Sequence, residues 1–378
     1  MFAFVVLAVG DVQLVDASDS AGSPYSSPHF LEYWAASRLL IQGGNPYSPA
    51  ELLTIQQTAG WGRGEPVIMW NPPWTLWFTL PFGLFDFELG RFVWLLVQVF
   101  LILFSAQNLW RLYANAPAAT RLPFVLAVTF VSAFFCLITE QISPLVLAGL
   151  TAFLCFENKQ QWIAMGAALV VCAIKPHLLY LVWIVFILWL WQNRNWQALL
   201  GSVLAGMGAA LFPVLFDAAV YQQYAALYQI PAIPRPLDWL TPTMRSAVRV
   251  FIGPGQIWLQ ILPSLAAIAW VLNYWRQHRH RWSWPDHLPL IVLASVTTSI
   301  FAWTYDQVVF FPAIMQAAAW LKQRAAPWHG SWAARLYIGI NLCQGLQRIW
   351  IADELWYFWL APALLLNYLI FRWESSAE

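Results

Sequence analysis

Long apolar runs separated by short polar turns recur along the chain almost to its end. They fall at 70–85, 88–110, 121–138, 143–157, 162–174, 177–192, 197–216, 257–275, 287–303, 308–321, 335–350 and 354–371. A helix rises about 1.5 Å per residue and the hydrocarbon core is about 30 Å thick, so a span needs roughly 20 residues. The runs predict membrane helices. Several are short and some are interrupted by proline or glycine, as helices around a buried polar site often are. The expected fold class is all-α: a polytopic membrane helix bundle of about 11–13 transmembrane or re-entrant helices, forming a single domain over 1–378. Met1–Gly10 is apolar, but about 10 residues reach only about 15 Å, and it has no basic n-region. A partial first helix, or a start codon placed too late, is expected there. The acidic segment 11–68 reads as a first extracytoplasmic loop carrying short interfacial helices. Pro231, Pro234, Pro236 and Pro242 make 231–242 a loop rather than a helix. No fixed-period repeat is visible.

Composition removes other classes. Apolar residues are 60% of the chain and charged residues only 10%, against about 25% charged in soluble domains. A soluble globular enzyme, a disordered chain and a nucleic-acid binder with a basic face are excluded. The 26 Trp, 25 Phe and 13 Tyr fit the aromatic belts at bilayer interfaces. Cys136, Cys155, Cys172 and Cys343 sit in apolar runs without a CxxC spacing, so neither a disulfide framework nor a zinc site is expected. The net charge of +1 is uninformative, but its arrangement is not. Arg276, Arg279 and Arg281 form the strongest basic loop. Lys159, Arg194, the set Lys322, Arg324 and Arg335, and Arg372 fall on the same side by alternation, which makes that side cytoplasmic. The opposite side then holds 11–68, Glu140-Gln141, Lys175-Pro176-His177, 217–255, Tyr305-Asp306-Gln307 and Asp353-Glu354. With 11–68 and Glu140 both outside, an even number of spans separates them. The run 70–85, weakened by Pro72, Pro73 and Pro81, is therefore expected to be re-entrant or interfacial.

Ionisable groups near membrane depth are expensive and mark function by default. His29, Glu32 and Tyr33 stand at i, i+3 and i+4, on one face of a helical stretch that runs to Ile41 and breaks at Gly43-Gly44-Asn45-Pro46-Tyr47. The plainer reading is a surface amphipathic helix. In Trp70-Asn71-Pro72-Pro73 the prolines leave carbonyls unpaired, and Asn71 either serves a ligand or caps a helix starting at Pro72. Lys175, beside Pro176 and His177, either snorkels or binds a phosphate. Arg245 and Arg249 share one helical face after Pro242 and bind either a phosphate or lipid headgroups. Asp306 needs a cationic partner if buried, and Lys175 or an arginine of 245–249 can supply it. There is no P-loop, GxGxxG, GxSxG or HExxH pattern, so no metal, nucleotide or other cofactor is expected. If the chain is a transferase, its donor must reach the site from the membrane.

These motifs resemble glycosyltransferase family 87, polytopic transferases of the GT-C class that use polyprenyl-phosphate sugars, typically the mannose form. The resemblance rests on His29-Phe30-Leu31-Glu32-Tyr33-Trp34-Ala35-Ala36 with Gly43-Gly44-Asn45-Pro46-Tyr47, then Trp70-Asn71-Pro72-Pro73, Glu140-Gln141-Ile142-Ser143-Pro144, Lys175-Pro176-His177 and Tyr305-Asp306-Gln307. The motifs come in the family's order and cover nearly the whole chain. The family usually opens the first motif with Asp-Phe, and that aspartate is the expected general base. Here His29 stands at that position. His29 takes over, or Glu32 does, or activity is lost; an imidazole with a pKa near 6.5 suits proton abstraction at neutral pH.

The resemblance implies a hexosyltransferase, with a polyprenyl-phosphate sugar as donor and a glycan or glycolipid hydroxyl as acceptor. It places the chain in the plasma membrane with an extracytoplasmic active site, among membrane lipids and without nucleic acid. Transfer would invert the anomeric centre through an oxocarbenium-like transition state. By this reading His29 and Glu32 are catalytic, and Lys175, Arg245 and Arg249 bind the donor phosphate. Tyr33, Trp70, Asn71, Gln141, His177, Tyr305 and Asp306 bind sugar. The rare charged groups are candidates to meet in one cleft. A lipid-sugar transporter or flippase is the competing class, disfavoured by the missing repeat and by polar groups gathered on one side. An inactive relative is the other alternative.

Overall fold

The computed structural model of the protein describes residues 29–114, 120–231, 233–253, 257–323 and 331–376. Met1–Gly10, the stretch 11–28 and Arg324 lie outside the described residues. The chain folds as an all-α polytopic bundle, 79% helical and without a strand among the described residues. In chain order the helices are α1 Phe30–Gln42, α2 Pro49–Thr58, α3 Leu76–Gly83, α4 Phe87–Ala114, α5 Leu122–Thr129 and α6 Val131–Ile138. Then come α7 Ser143–Asn158, α8 Trp162–Val171, α9 Tyr180–Asn193, α10 Trp196–Leu211, α11 Val220–Leu227 and α12 Met244–Phe251. The last are α13 Ile257–His278, α14 Trp284–Thr297, α15 Phe311–Gln323, α16 Trp332–Trp350 and α17 Leu360–Ser376.

Each apolar run carries helix, but the boundaries differ from the pattern. Four helical segments are long and apolar enough to cross a membrane: Phe87–Ala114, Pro176–Asn193, Trp196–Leu215 and Glu354–Ser375. The run 121–138 is split into α5 and α6 at Phe130, whose ψ of 108° is extended. The run 70–85 yields only a 3-10 turn, Pro73–Thr75, and the eight-residue α3, which rises about 12 Å and falls short of a span. The proline-rich stretch holds a single 3-10 turn, Pro236–Asp238.

The chain forms two compact units. Of the described residues, the first takes in those within 29–100, 137–142 and 204–238. Its centre is α1, which is not a surface helix: Phe30, Leu31, Glu32, Tyr33, Trp34, Ala35, Ala36, Ser37, Leu39 and Leu40 are all buried. Phe30 packs against Phe82, Phe87 and Trp94. The α1–α3 contact is tight because Gly83 has no side chain; a Cβ there would lie 2.8 Å from the Arg38 amide nitrogen. Ser37 donates to Thr79 across this contact at 2.9 Å. Gly43, at φ 77°, ends α1 in the left-handed conformation that glycine adopts freely.

The second unit takes in the described residues within 101–136, 143–203 and 239–376. It is built around α14, buried along nearly its whole length. Here too glycines set a close crossing: a Cβ on Gly166 of α8 would sit 2.0 Å from the Ala198 carbonyl of α10, and one on Gly201 would sit 2.0 Å from the Ile163 carbonyl.

Candidate functional site

In the first unit His29 opens α1, and its amide donates to the Thr139 carbonyl at 3.2 Å. The helical spacing read from the sequence brings Glu32 beneath it, with Oε1 3.7 Å from His29 Nδ1. One residue on, the buried Tyr33 hydroxyl donates to Gln141 Oε1 at 3.3 Å. The loop 139–142 thus meets α1 at two points. Between them stands Glu140, 2% exposed and at φ 57°, a left-handed backbone that non-glycine residues rarely adopt. Arg91 of α4 donates from Nε to Glu140 Oε1 at 2.5 Å, and Trp94 donates to its carbonyl at 2.9 Å. Burial pushes the Glu140 carboxyl above its ordinary value, while Arg91, and His29 at longer range, pull it back.

Trp70 and Asn71 lie in a tyrosine cluster of the same unit. Tyr224 donates to the Trp70 carbonyl at 3.1 Å and Tyr47 to the Asn71 carbonyl at 3.3 Å. The carbonyls beside the two prolines are therefore satisfied. The Trp70 ring meets Tyr228 edge-on at 5.3 Å. The helical turn begins at Pro73 with Pro72 in the cap position, so Asn71 is not the cap residue.

In the second unit three sequence motifs converge. Lys175 stands between the 3-10 turns Cys172–Ile174 and Pro176–Leu179. Its Nζ lies 2.6 Å from Asp306 Oδ1 and donates to Ser143 Oγ at 3.1 Å. Ser143 donates to the same Asp306 oxygen at 2.5 Å, and the Trp303 amide donates to Oδ2 at 3.0 Å. Burial raises the Asp306 carboxyl, but the Lys175 charge, the Ser143 hydroxyl and the Trp303 amide outweigh it and hold it below its ordinary value. Lys175, not an arginine of 245–249, is the partner that Asp306 required. Lys175 also lies 5.2 Å above the Tyr305 ring, and His177 stacks on Phe301 at 3.9 Å.

Arg245 and Arg249 ride on α12, whose N-cap Thr243 accepts from the Ser246 amide. Both are half-exposed, and Arg245 reaches the Ile300 carbonyl at 3.4 Å. Next to Asp306, Thr304 joins a second buried ion pair. Arg348 Nη2 lies 2.5 Å from Glu354 Oε1 and donates to Thr304 Oγ1 at 2.8 Å.

The predicted residues thus fall into two sets. His29, Glu32, Tyr33, Trp70, Asn71 and Gln141 belong to the first unit; Lys175, His177, Arg245, Arg249, Tyr305 and Asp306 belong to the second. Sequence reasoning passed over Glu140, Arg91, Ser143 and Arg348 as site residues. A signal existed for one pair: Arg91 is the sole cation of the run 88–110, and Glu140 the sole carboxylate of its turn. All four cysteines are free thiols. Among the described residues no three His, Cys, Asp or Glu side chains gather as a metal site.

The sequence model of glycosyltransferase family 87 matches residues 70–284. No curated protein and no solved structure matches the chain.

Proposed function

From its membership of glycosyltransferase family 87, which makes this chain a membrane glycosyltransferase, we propose that it moves a hexose, mannose, from a polyprenyl-phosphate donor to a glycan or glycolipid hydroxyl. The transfer takes place on the extracytoplasmic face of the plasma membrane and inverts the anomeric centre. The acceptor oxygen forms a bond to the anomeric carbon, and the bond from that carbon to the phosphate oxygen breaks with its electron pair leaving on the phosphate. His29 Nε2 takes the hydroxyl proton, because Nδ1 faces Glu32. That carboxylate orients the ring as the acidic partner does in other His-based sites. Lys175, with Arg245 and Arg249, stabilises charge on the departing phosphate. Tyr33 and Trp70 stack on sugar, and Asn71, Gln141, His177, Tyr305 and Asp306 hold its hydroxyls.

The observation that carries this reading is Lys175: a buried cation set at a helix break by Asp306 and Ser143, inside the residues that match a glycosyltransferase family. The test is transfer of radiolabelled mannose from synthetic polyprenyl-phosphate mannose by the purified chain in proteoliposomes. His29→Ala and Lys175→Met are each expected to lose at least roughly 100-fold in kcat, the scale of one general base or one charge-stabilising group. Wild-type rates in both variants refute the assignment.

A further inference from the structure

Along α15 the second unit holds a cavity of about 830 Å³ in which the proposed reaction has no part. Ala313, Ile314, Ala317, Ala318 and Leu321 recur at helical spacing and line it from one face of α15. The three small alanine side chains leave the space. Lys322 lines the end of that face, nine positions beyond Ala313, or about 14 Å along a helix. The inner wall is apolar and deep: Leu293 of α14 and Phe310 are each 1% exposed. Val125 of α5 and Ile338 of α16 also line the cavity but are 49% and 44% exposed, so they mark its mouth. Around that mouth Phe124, Val128, Leu336 and Leu342 are exposed too, an apolar surface suited to hydrocarbon. The cavity is therefore a trough, apolar along its length, with a cation at one end and a side opening toward lipid.

We infer that this trough binds one acyl chain of an anionic phospholipid, which enters between α5 and α16 and sets its phosphate on Lys322. Apolar cavities exclude water, and a chain supplies the packing contacts that an unfilled wall lacks. Charge selects the headgroup. Lys322 is exposed; its ammonium lies 5.4 Å over the Trp110 ring and joins no ion pair among the described residues. Elsewhere in the lining, Thr129 donates to the Val125 carbonyl, Asn367 to the Ala333 carbonyl and Tyr368 to Gln316, so these hydrogens are turned to the protein. Arg121 and Arg335, both exposed, adjoin the lining residues Leu122 and Ala334 and add positive charge. The carboxylate of Glu374 is held by Ser331 and the Ala333 amide. By the alternation of charge along the sequence Lys322 belongs to the cytoplasmic side, and Lys175 and Asp306 to the opposite one. The bound lipid is thus distinct from the sugar donor.

The test needs no turnover. The purified full chain, washed free of lipid in detergent, is offered phosphatidylglycerol and phosphatidylcholine with matched chains and read by native mass spectrometry. Wild type is expected to retain phosphatidylglycerol about fivefold better, the worth of one lysine beside an anionic lipid. Lys322→Gln is expected to erase that preference. Ala318→Trp, which fills the trough, is expected to remove retention of either lipid; Ile338→Trp at the mouth serves if that variant does not fold. Position is read with phosphatidylglycerol carrying a photoreactive diazirine at the chain end, whose adducts are expected on Leu293, Phe310 or Ala313. Equal retention of the two lipids by wild type overturns the inference. So does a preference that survives Lys322→Gln, or adducts confined to the outer residues Phe124 and Leu342. Polyprenyl phosphate retained in place of phosphatidylglycerol, equally by wild type and Lys322→Gln, also overturns it and makes the trough a seat for the tail of the sugar donor.

Discussion

Replacing Lys175 by methionine leaves the Asp306 carboxylate buried without its cation. At 2.6 Å and an effective dielectric of about 20, the gross attraction is on the order of 6 kcal/mol. Much of it offsets the desolvation of two groups that are 7% and 1% exposed. Breaking one side of such a pair costs about 3–5 kcal/mol, whereas removing both sides is close to neutral. Lys175→Met is therefore expected to lower stability by about 3–5 kcal/mol. The double variant Lys175→Met/Asp306→Asn, whose amide still accepts from the Trp303 N–H, recovers most of that loss. In thermal unfolding followed in detergent, the single variant falls by roughly 5 °C, since a chain this long moves only about 1–2 °C per kcal/mol. The pH dependence has a definite sign. The folded Asp306 carboxyl lies below its ordinary value, so its contribution is complete above about pH 4 and is lost as pH falls toward the lower folded pKa. The gap between wild type and Lys175→Met should close on that acid side. A Lys175→Met midpoint within a degree of wild type refutes the reasoning, as does a double variant that falls by the sum of the two singles.

Two further perturbations test the packing and the second buried pair. Gly166→Ala forces a Cβ to within 2.0 Å of the Ala198 carbonyl, so α8 and α10 must separate, with an expected loss of about 2–3 kcal/mol. Gly206→Ala, which meets nothing within 4 Å, leaves the unfolding midpoint unchanged or slightly raised and is the control. Arg348→Met strips the cation from Glu354 and from the Thr304 hydroxyl and is expected to cost about 3 kcal/mol; adding Glu354→Gln recovers part of it, read by the same unfolding assay.

Helix positions were legible because the bilayer demands long apolar runs, and each of the twelve runs carries helix. Where the reading erred, tertiary packing had overridden local pattern. Nothing in Val128-Thr129-Phe130-Val131 signals a break, yet Phe130 is extended and splits the run. The polar residues of α1 suggested a face turned to water, but Ser37 is buried against Thr79 and Tyr33 against Gln141. The need of Asp306 for a cation was readable from one residue, since a buried carboxylate is untenable alone. Ser143 was not readable as the third member. Its hydroxyl reaches both partners only because α7 begins beside the 3-10 turn Thr304–Phe310, a contact 163 residues apart in sequence. Arg91 and Glu140, 49 residues apart, were visible as lone charges but not as a pair.

These pairings bear on how far fold and chemistry can be separated in a chain with only 10% charged residues. Arg91–Glu140 and Arg348–Glu354 each tie a helix to a loop or helical turn, and Lys175–Asp306 ties a helix break to a 3-10 turn. With little water to solvate a stray charge, each pair penalises any register in which its partners do not meet. A residue that pins register in this way is sensitive to substitution whether or not it touches substrate, so loss of activity in a single variant does not distinguish the two roles. The doubly replaced Lys175→Met/Asp306→Asn chain does. Its register is expected to survive, because no buried charge is left unpaired, while the cation proposed to meet the departing phosphate is gone. A folded double variant that still transfers mannose at the wild-type rate would make the pair a structural pin alone; a folded double variant without transfer shows that the pair serves the reaction as well as the register.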